Sequence, residues 1–475
     1  MVTFFSLQTN NMATHTVTEL RRLRPYSVRP STTTVDPYIA DEYKIYLDES
    51  TRTALEDYGI STYSDEAHMH SFLKYKRPIS QENYYSKIIE SDPFIHDAVQ
   101  QVIESLACLR NTKMISSDQM DTVEWVASSA AGHGYTGKKK DNYIEAQKRA
   151  SQTIYYYQRY GSQYRCTPDM AFARCQVSTT IKPKIRHVWG RAFHNILIEG
   201  LCIQPLLKKV LLNETPLYIG RDVHKHLPYH IRSQFEHETI AYCLDFDSFD
   251  ANINVSLLRY AFVVLRSLIT IQDPWEYNIF NFVEQLFVNT PLLMPNGILY
   301  MVSTGLPSGS LLTQIVGSII NLILIYSLQL RYFGKIVPSS VMGDDSIFTH
   351  PDQPLDINTI ASHFIQYGMI INKEKSIITS NIQKVHFLGH NIYGSSITRE
   401  EFILFVHALF TESPIITPAL SLTRLASLLH DSGFNSWGLY KIYKNMFAKY
   451  NLDWTLEPIR PCSLTYPYNK LFSIS

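Results

Sequence analysis

The chain has 475 residues, 45% of them hydrophobic and 18% charged, a balance that excludes a disordered or fibrous protein and allows a sizeable core. At ~100–200 residues per domain, the length predicts two to four substructures. Lys+Arg and Asp+Glu are equal at 43 each, so the formal net charge is zero, which argues against bulk polyanion binding but not against a local basic channel.

The opening "MVTFFSLQTNN" lacks a basic lead and has only a short apolar patch, so no secretory signal is expected. Residues 1–40 are Thr-rich and carry "RRLRPYSVRP" (21–30), which reads as an irregular basic arm. From about 41 to 235 the pattern is mixed and mostly helical, with breaks at "SSAAGHGYTGKKK" (128–140) and "TIKPKIRHVWG" (180–190). Between the breaks, "QKRASQTIYYYQRYGSQYR" (147–165) mixes bases with aromatics, a pattern suited to stacking on single-stranded RNA. An amphipathic helix packing its tyrosines is the simpler reading of that stretch. His68/His70 and His224/His226 have no Cys or His partners at metal-site spacing and read as surface histidines. Cys108, Cys166, Cys175, Cys202, Cys243 and Cys462 form no Cys-x-x-Cys pair, and their scatter fits reduced thiols in a cytosolic protein.

From 238 to 395 the pattern alternates strand, helix, hairpin and strand. "TIAYCLDFDSFDANI" (239–253) begins as a β-rich apolar run and should stop near Asp245, leaving that carboxylate at a strand's C-terminal end, where open α/β sheets place ligands. Asp250 follows near the start of the next helix, and Asp247 lies between them; helix capping is the simpler reading for Asp247. "STGLPSGSLLTQIVGSIIN" (303–321) is a Gly- and Ser-rich turn running into an apolar helix. There Gly305 and Gly309 allow close backbone approach to a ligand, Ser308 and Thr313 offer hydroxyls, and helix N–H groups favour anions. The apolar stretch "GSIINLILIYSL" (317–328) is too short to span a bilayer and reads as a buried helix. "VMGDDSIF" (341–348) sets Asp344 beside Asp345 after Gly343: a hairpin turn, or a site where a divalent cation offsets the repulsion. Two carboxylates from adjacent strands, Asp245 and Asp344, would make a hard-oxygen site for Mg²⁺. From about 399 onward the chain reads as helical, with Leu422, Leu425, Leu428 and Leu429 in one run and Leu439, Tyr440, Tyr443 and Phe447 in another.

Asp-x(4)-Asp, then Ser-Gly-x(3)-Thr opening a helix, then Gly-Asp-Asp, in that order, resembles the A–B–C motif series of viral RNA-dependent RNA polymerases. The flanks extend the resemblance over roughly residues 125–400. "SSAAGHGYTGKKK" looks like motif G, the loop that admits the template, "KPKIRHVWG" like motif F, "YGMIINKEKS" (367–376) like motif D and "VHFLGHNIY" (385–393) like the motif E hairpin. The size, "RHVWG", the "GLPSGSLLTQ" form of motif B and the compact C-terminal end are most similar to partitivirus polymerases, and among them to those of plant cryptic viruses.

The resemblance implies an α+β right-hand fold with an antiparallel palm sheet. It divides the chain into an N-terminal arm bridging fingers and thumb (1–60), fingers (61–237), palm (238–260), a fingers insertion (261–300), palm again (301–398) and a helical thumb (399–475). It implies template-directed nucleotidyl transfer with two Mg²⁺ or Mn²⁺ ions. Asp245 and Asp344 hold the ions, Asp345 is a weaker ligand, and Lys375 is a general acid. Lys184 and Arg186 meet the nucleotide, as do Asp250, Ser308, Gly309, Thr313 and Asn321. Ser129, Gly132, Lys138, Lys139, Lys140 and Lys182 line the RNA. The implied partners are template and product RNA, nucleoside triphosphates and a capsid protein made by another gene, with no membrane. The implied setting is the virion interior and host cytoplasm, with a segmented double-stranded RNA genome. One departure stands out: where the wider class often has Asn four residues after the motif B Thr, this chain has Gly317, with Ser318 and Asn321 nearby. Two other readings are a reverse transcriptase or other palm polymerase, and a polymerase-derived RNA-binding protein without catalysis. Asp250 argues against the first, and the joint presence of Asp245, Asp344, Asp345 and Lys375 against the second.

Overall fold

A long helix that is mostly apolar has to be buried, and the one at the centre of this fold is. The computed structural model describes residues 13–28, 34–182, 184–235, 239–351, 354–411 and 414–450. The opening segment read for a targeting signal, Cys462 and the end of the expected thumb from 451 lie outside them. The central helix, Thr313–Phe333, buries every residue from Ile315 to Gln329. Its 21 residues are long and apolar enough to cross a membrane by composition, but 83% of its apolar window is buried inside the fold. It packs on the helices Pro93–Ser105 and Val255–Leu268 and on the strand Ser339–Met342.

That strand opens a four-stranded antiparallel sheet in the order Ser339–Met342, Asp345–His350, Ile240–Leu244, Ile377–Thr379. Successive side chains of a strand face opposite ways. Tyr242, Leu244 and Phe348 accordingly join the core around the central helix, while Ala241, Cys243 and Ile347 pack with Phe387 and Ile392 on the other face. The antiparallel sheet expected from the sequence is therefore present and covered on both sides.

A second sheet runs Val17–Arg22, Ile298–Val302, Thr290–Leu293, Asp169–Cys175, Ile185–Gly190. It corrects two expectations. Arg21 and Arg22 are not in an irregular arm but in a strand, opposite Leu299 and Ile298. The break at 180–190 becomes a strand from Ile185, paired antiparallel with the preceding one from Cys175↔Ile185 to Met170↔Gly190. The signal was period 2: Ile185, His187 and Trp189 are buried while Arg186 points outward.

Three helices, Glu401–Leu409, Pro418–Asp431 and Trp437–Tyr450, form the C-terminal part. Leu422, Leu425, Leu428, Leu429 and Leu439 are buried as their spacing predicts, whereas Tyr440 faces outward. They share a core with Ile39, Tyr43 and Leu55. Asp36 locks this contact: it caps the helix Pro37–Tyr46 and accepts from Ser421 Oγ at 2.7 Å and Arg424 Nη1 at 3.2 Å. The reading of both histidine pairs as surface groups holds for only one member of each, because residues two apart on a helix face different ways. His70 and His226 are exposed. His68 is buried, its Nε2 3.1 Å from His187 Nδ1. The His224 ring lies 3.9 Å from that of His430.

Candidate active site

The strand Ile240–Leu244 ends where the sequence predicts, one residue before Asp245. Its neighbour pairs Ser346 with Leu244. The next step of the same register sets Asp245 across from Asp345. Met342 pairs with Asp345, which leaves Gly343 and Asp344 as a two-residue hairpin turn. Gly343 has φ +63° and Asp344 has no positive φ, the pattern of a turn that needs glycine first. The turn and cation readings of Gly-Asp-Asp are thus compatible, since the turn is what delivers Asp344 to an exposed tip beside Asp245 and Asp345.

The carboxylates crowd one another. Asp345 is pushed up to about 7 by burial and by the Asp344 and Asp245 charges. Asp250, on the short helix Phe249–Asn252, is pushed up to about 6 by burial and Asp344, with Arg186 acting against the rise. Burial also raises Asp245, and the Lys375 ammonium opposes it. Cations face this cluster. Burial and the neighbouring charges of Arg186, Lys375 and Lys74 lower Lys184, while Asp245 holds it up. Lys375 comes from the turn after Ile370–Ile371, held against the strand end by Asn372 N–H donating to Asp245 O at 2.8 Å. Ser376 Oγ accepts from Asp245 N–H at 3.1 Å. Lys74 escaped the sequence reading; a lysine at a helix end carries no signal until the fold places it 3.4 Å from Ser248 Oγ.

Capping does not explain the acids after Asp245: Ser248 occupies the cap position, and no side chain caps that helix. Arg77 holds the segment instead, donating to Ile253 O at 2.8 Å and Asn252 O at 3.2 Å.

The loop before the central helix also differs from expectation. Ser308 Oγ accepts from Trp189 N–H at 3.2 Å, and Thr313 Oγ1 donates to Pro307 O at 2.6 Å. A methyl group on Gly309 would run into the Trp189 carbonyl, and one on Gly305 would sit 2.6 Å from Asp250 O. The close approaches are to protein backbone, so these residues shape the pocket wall. Buried Glu199 fixes the loop further, accepting from Ser310 Oγ and Leu311 N–H at 2.9 Å each, with Arg191 Nε 3.2 Å away. Gly309→Ala should therefore cost about 1–3 kcal/mol of stability by overpacking, seen as a lower urea midpoint; an unchanged midpoint would mean the loop and the 185–190 strand separate freely.

Asn321 is fully buried and faces the hairpin backbone. Its Nδ2 donates to the carbonyls of Gly343 at 3.0 Å, Asp344 at 3.0 Å and Asp345 at 3.3 Å. Ser318 Oγ accepts from Gly343 N–H at 2.8 Å. The expectation that Asn321 meets the nucleotide is corrected: its amide is committed to the turn. Gly317 packs with its Cβ position 3.8 Å from Gly343 Cα, close enough that a large side chain there would lift the turn.

The sequence profile of viral RNA-dependent RNA polymerases matches residues 37–447, most of the chain. The chain belongs to that family. It is 33% identical over 196 residues to the RNA-directed RNA polymerase of Cryptosporidium parvum virus 1 (strain KSU-1), covering 39% of this chain and 36% of that protein. It is 32% identical over 130 residues to the RNA-directed RNA polymerase of Atkinsonella hypoxylon virus (isolate 2H), covering 25% and 19%. The matched segments thus span about a third or less of these relatives. The crystal structure of an insertion-loop deletion mutant of a human picobirnavirus RNA-dependent RNA polymerase superposes with a TM-score of 0.62 over 86% of this chain and 83% of that one. At 16% identity that likeness speaks to the fold, the right-hand polymerase architecture.

In this polymerase-family chain the loop 128–140 is only partly open to solvent. Lys138 and Lys140 are exposed, as is Lys182 in the turn before Ile185–Gly190. Lys139 turns inward, its Nζ 5.8 Å from the Phe193 ring centroid. Gly132 is buried at φ +81° against the Arg191 and Ala192 backbone, 2.8 Å from a would-be Cβ to Arg191 O, and Ser129 Oγ donates to Val126 O at 2.8 Å. Ser129, Gly132 and Lys139 build the loop and leave Lys138 and Lys140 as its outward lysines, with Lys182 exposed in the separate turn.

Proposed function

We propose that the chain is an RNA-directed RNA polymerase that copies and transcribes a segmented double-stranded RNA genome by nucleotidyl transfer. One observation carries this reading: four carboxylates, Asp245, Asp250, Asp344 and Asp345, meet Lys184, Arg186 and Lys375 at one end of the four-stranded sheet. Primer extension with ribo- and deoxyribonucleotides on one RNA template tests it. Incorporation of ribonucleotides supports the reading, deoxyribonucleotide preference points to a reverse transcriptase, and no incorporation leaves an RNA-binding protein.

The primer 3′-hydroxyl attacks the α-phosphorus of the incoming triphosphate and pyrophosphate leaves; the protein's part is positioning and charge neutralisation. The donor set suits hard cations: carboxylate oxygens only, with Asp345 raised by burial and by the neighbouring Asp344 and Asp245 charges. Among the described residues no group of three or more acids, histidines or cysteines is placed to hold a metal ion by itself. Mg²⁺ is compatible with that, because it keeps waters and takes substrate phosphate oxygens as ligands. Asp245 and Asp344 would hold two Mg²⁺ or Mn²⁺ ions, with Asp345 a weaker ligand; bound there, the ions supply charge neutralisation at the reacting phosphate. Lys184 and Arg186 grip the triphosphate, Arg in bidentate fashion. Lys375 gives a proton to the departing pyrophosphate. Asp250 accepts a hydrogen bond from the ribose 2′-hydroxyl.

In this reading 61–237 is fingers, 238–260 and 301–398 palm, 261–300 a fingers insertion, 399–475 thumb and 1–60 an arm between fingers and thumb. The pairing of Thr290–Leu293 with Asp169–Cys175 supports grouping the insertion with the fingers. The arm touches both sides: Val17–Arg22 pairs with Ile298–Val302, and Ile39 and Tyr43 share the C-terminal core. The motif forms "RHVWG" and "GLPSGSLLTQ" favour a partitivirus enzyme of plant cryptic virus type, working with a capsid protein inside the virion and in host cytoplasm, without a membrane. Co-sedimentation of the polymerase with capsid shells and double-stranded RNA checks that setting.

RNA should run past Lys138, Lys140 and Lys182 despite the zero net charge. Each phosphate neutralised on a single strand adds about 0.7 to the slope of log affinity against log salt. Alanine at both Lys138 and Lys140 should lower that slope by about 1.4 and weaken template binding uniformly across sequences. An unchanged slope assigns the loop to bulk surface.

A further inference from the structure

The helix Tyr143–Tyr160 follows directly on the loop 128–140. Its buried side is Ala146, Ala150, Thr153, Ile154 and Tyr157, at helical spacing. Packing therefore accounts for Tyr157, whose hydroxyl donates to Gln285 Oε1 at 2.9 Å. It does not account for Tyr155, Tyr156 and Tyr160, which are 53%, 45% and 50% exposed. Their rings are ordered all the same. Tyr156 lies 24° from parallel to Tyr160 and 10° from parallel to half-buried Tyr164, with centroids 6.3 and 6.4 Å apart. Arg159 sits 5.9 Å from the Tyr160 centroid.

Charge identifies the occupant. Residues 146–165 carry Lys148, Arg149, Arg159 and Arg165 and no acid, within a chain of zero net charge. Lys148, Arg159 and Arg165 are exposed. Of nearby acids, Glu145 is paired with Arg149 at 2.8 Å and Glu284, on the helix packed beneath, with Arg266 at 2.8 Å. The helix is also tied to the loop that the proposed function gives to the template. Arg149 Nη1 donates to Gly134 O at 2.8 Å, and its guanidinium lies 4.5 Å from the Tyr135 centroid. At 1.5 Å rise per residue, Tyr156 and Tyr160 stand about 10 and about 16 Å beyond that anchor along the axis.

We propose that Tyr155, Tyr156 and Tyr160, with Lys148, Arg159 and Arg165, form a landing surface for unpaired template RNA before it reaches the loop 128–140. Bases stack on the tyrosines whatever their sequence, and the cations follow the phosphates. The inference rests on the polymerase reading for the direction of travel but is measured separately from it.

The test compares the affinity of the full-length protein for single-stranded RNAs of about 8 and about 20 nucleotides, by fluorescence anisotropy. The unaltered protein gains affinity on lengthening. In the Tyr156→Ala/Tyr160→Ala variant that gain falls by about tenfold or more. The Tyr156→Phe/Tyr160→Phe variant keeps the rings and keeps the gain. Both sites are half-exposed, and matching thermal melts confirm that the variants fold. Ribonucleotide incorporation by the unaltered protein is followed in parallel, so failure of polymerase activity is read apart from failure of this surface. A length gain that persists in the alanine variant overturns the proposal and leaves the face to a protein partner. Loss of the gain in the phenylalanine variant as well overturns stacking as its basis.

Discussion

Asp344→Asn should lower nucleotide incorporation by at least about 10²–10³-fold while template RNA binds close to normally. Asn has the same shape and suits the same turn, so the hairpin from Ser339 to His350 should persist. What is lost is one negative charge at the exposed tip, where it raises both Asp345 and Asp250 and faces Asp245. Removing a preorganised charge from a reacting centre costs rate more than binding, because the charge is needed most when the phosphate reorganises. Single-turnover incorporation together with RNA binding by anisotropy checks both halves. Incorporation near that of the unaltered protein would remove Asp344 from the chemistry.

Asp250→Ala and Asn321→Ala should part company on sugar choice. Asp250 faces the carboxylate cluster and Arg186. Losing its hydrogen bond to a 2′-hydroxyl should lower kcat/KM for GTP on the order of 10²-fold and leave dGTP nearly unchanged. Asn321 instead holds the backbone of Gly343, Asp344 and Asp345. Its loss leaves the partly buried carbonyls of the turn without this donor, at about 1–3 kcal/mol, and lets the hairpin shift. GTP and dGTP use should then fall together, by about 5- to 100-fold, with their ratio intact. A changed ratio in Asn321→Ala would put its side chain in the nucleotide pocket, against the geometry seen here.

Gly317 and Asn321 also show what one-dimensional pattern leaves open. Counting four residues from Thr313 lands on Gly317, which touches the turn rather than a sugar; one helical turn further, Asn321 reaches the same turn with its amide. The two differences concern which face of a buried helix meets which neighbour: Gln314, Ser318 and Asn321 share one face at helical spacing, but that spacing does not say whether the face meets the hairpin or a nucleotide. At 185–190 the loop signal of Lys182, Pro183 and Lys184 hides the strand alternation that follows it.

The sequence by itself determined the short-range features: Asp245 at a strand end, the hairpin at Gly343, the central buried helix and the leucine-lined C-terminal helices. Each follows from local backbone preference or hydrophobic period, which act over a few residues. Order and spacing of the acidic motifs carried the family as well. Only the tertiary structure decided how the motifs meet and which groups outside them join the site. Asp245 and Asp344 are 99 residues apart in sequence and come together through strand pairing. Lys74, Arg77 and Glu199 reach the site or its walls from segments without motif character. Gly305, Gly309 and Ser308 turned from ligand contacts into wall contacts for the same reason. A glycine or a hydroxyl signals only that something comes close, and long-range packing decides whether that neighbour is substrate or protein backbone.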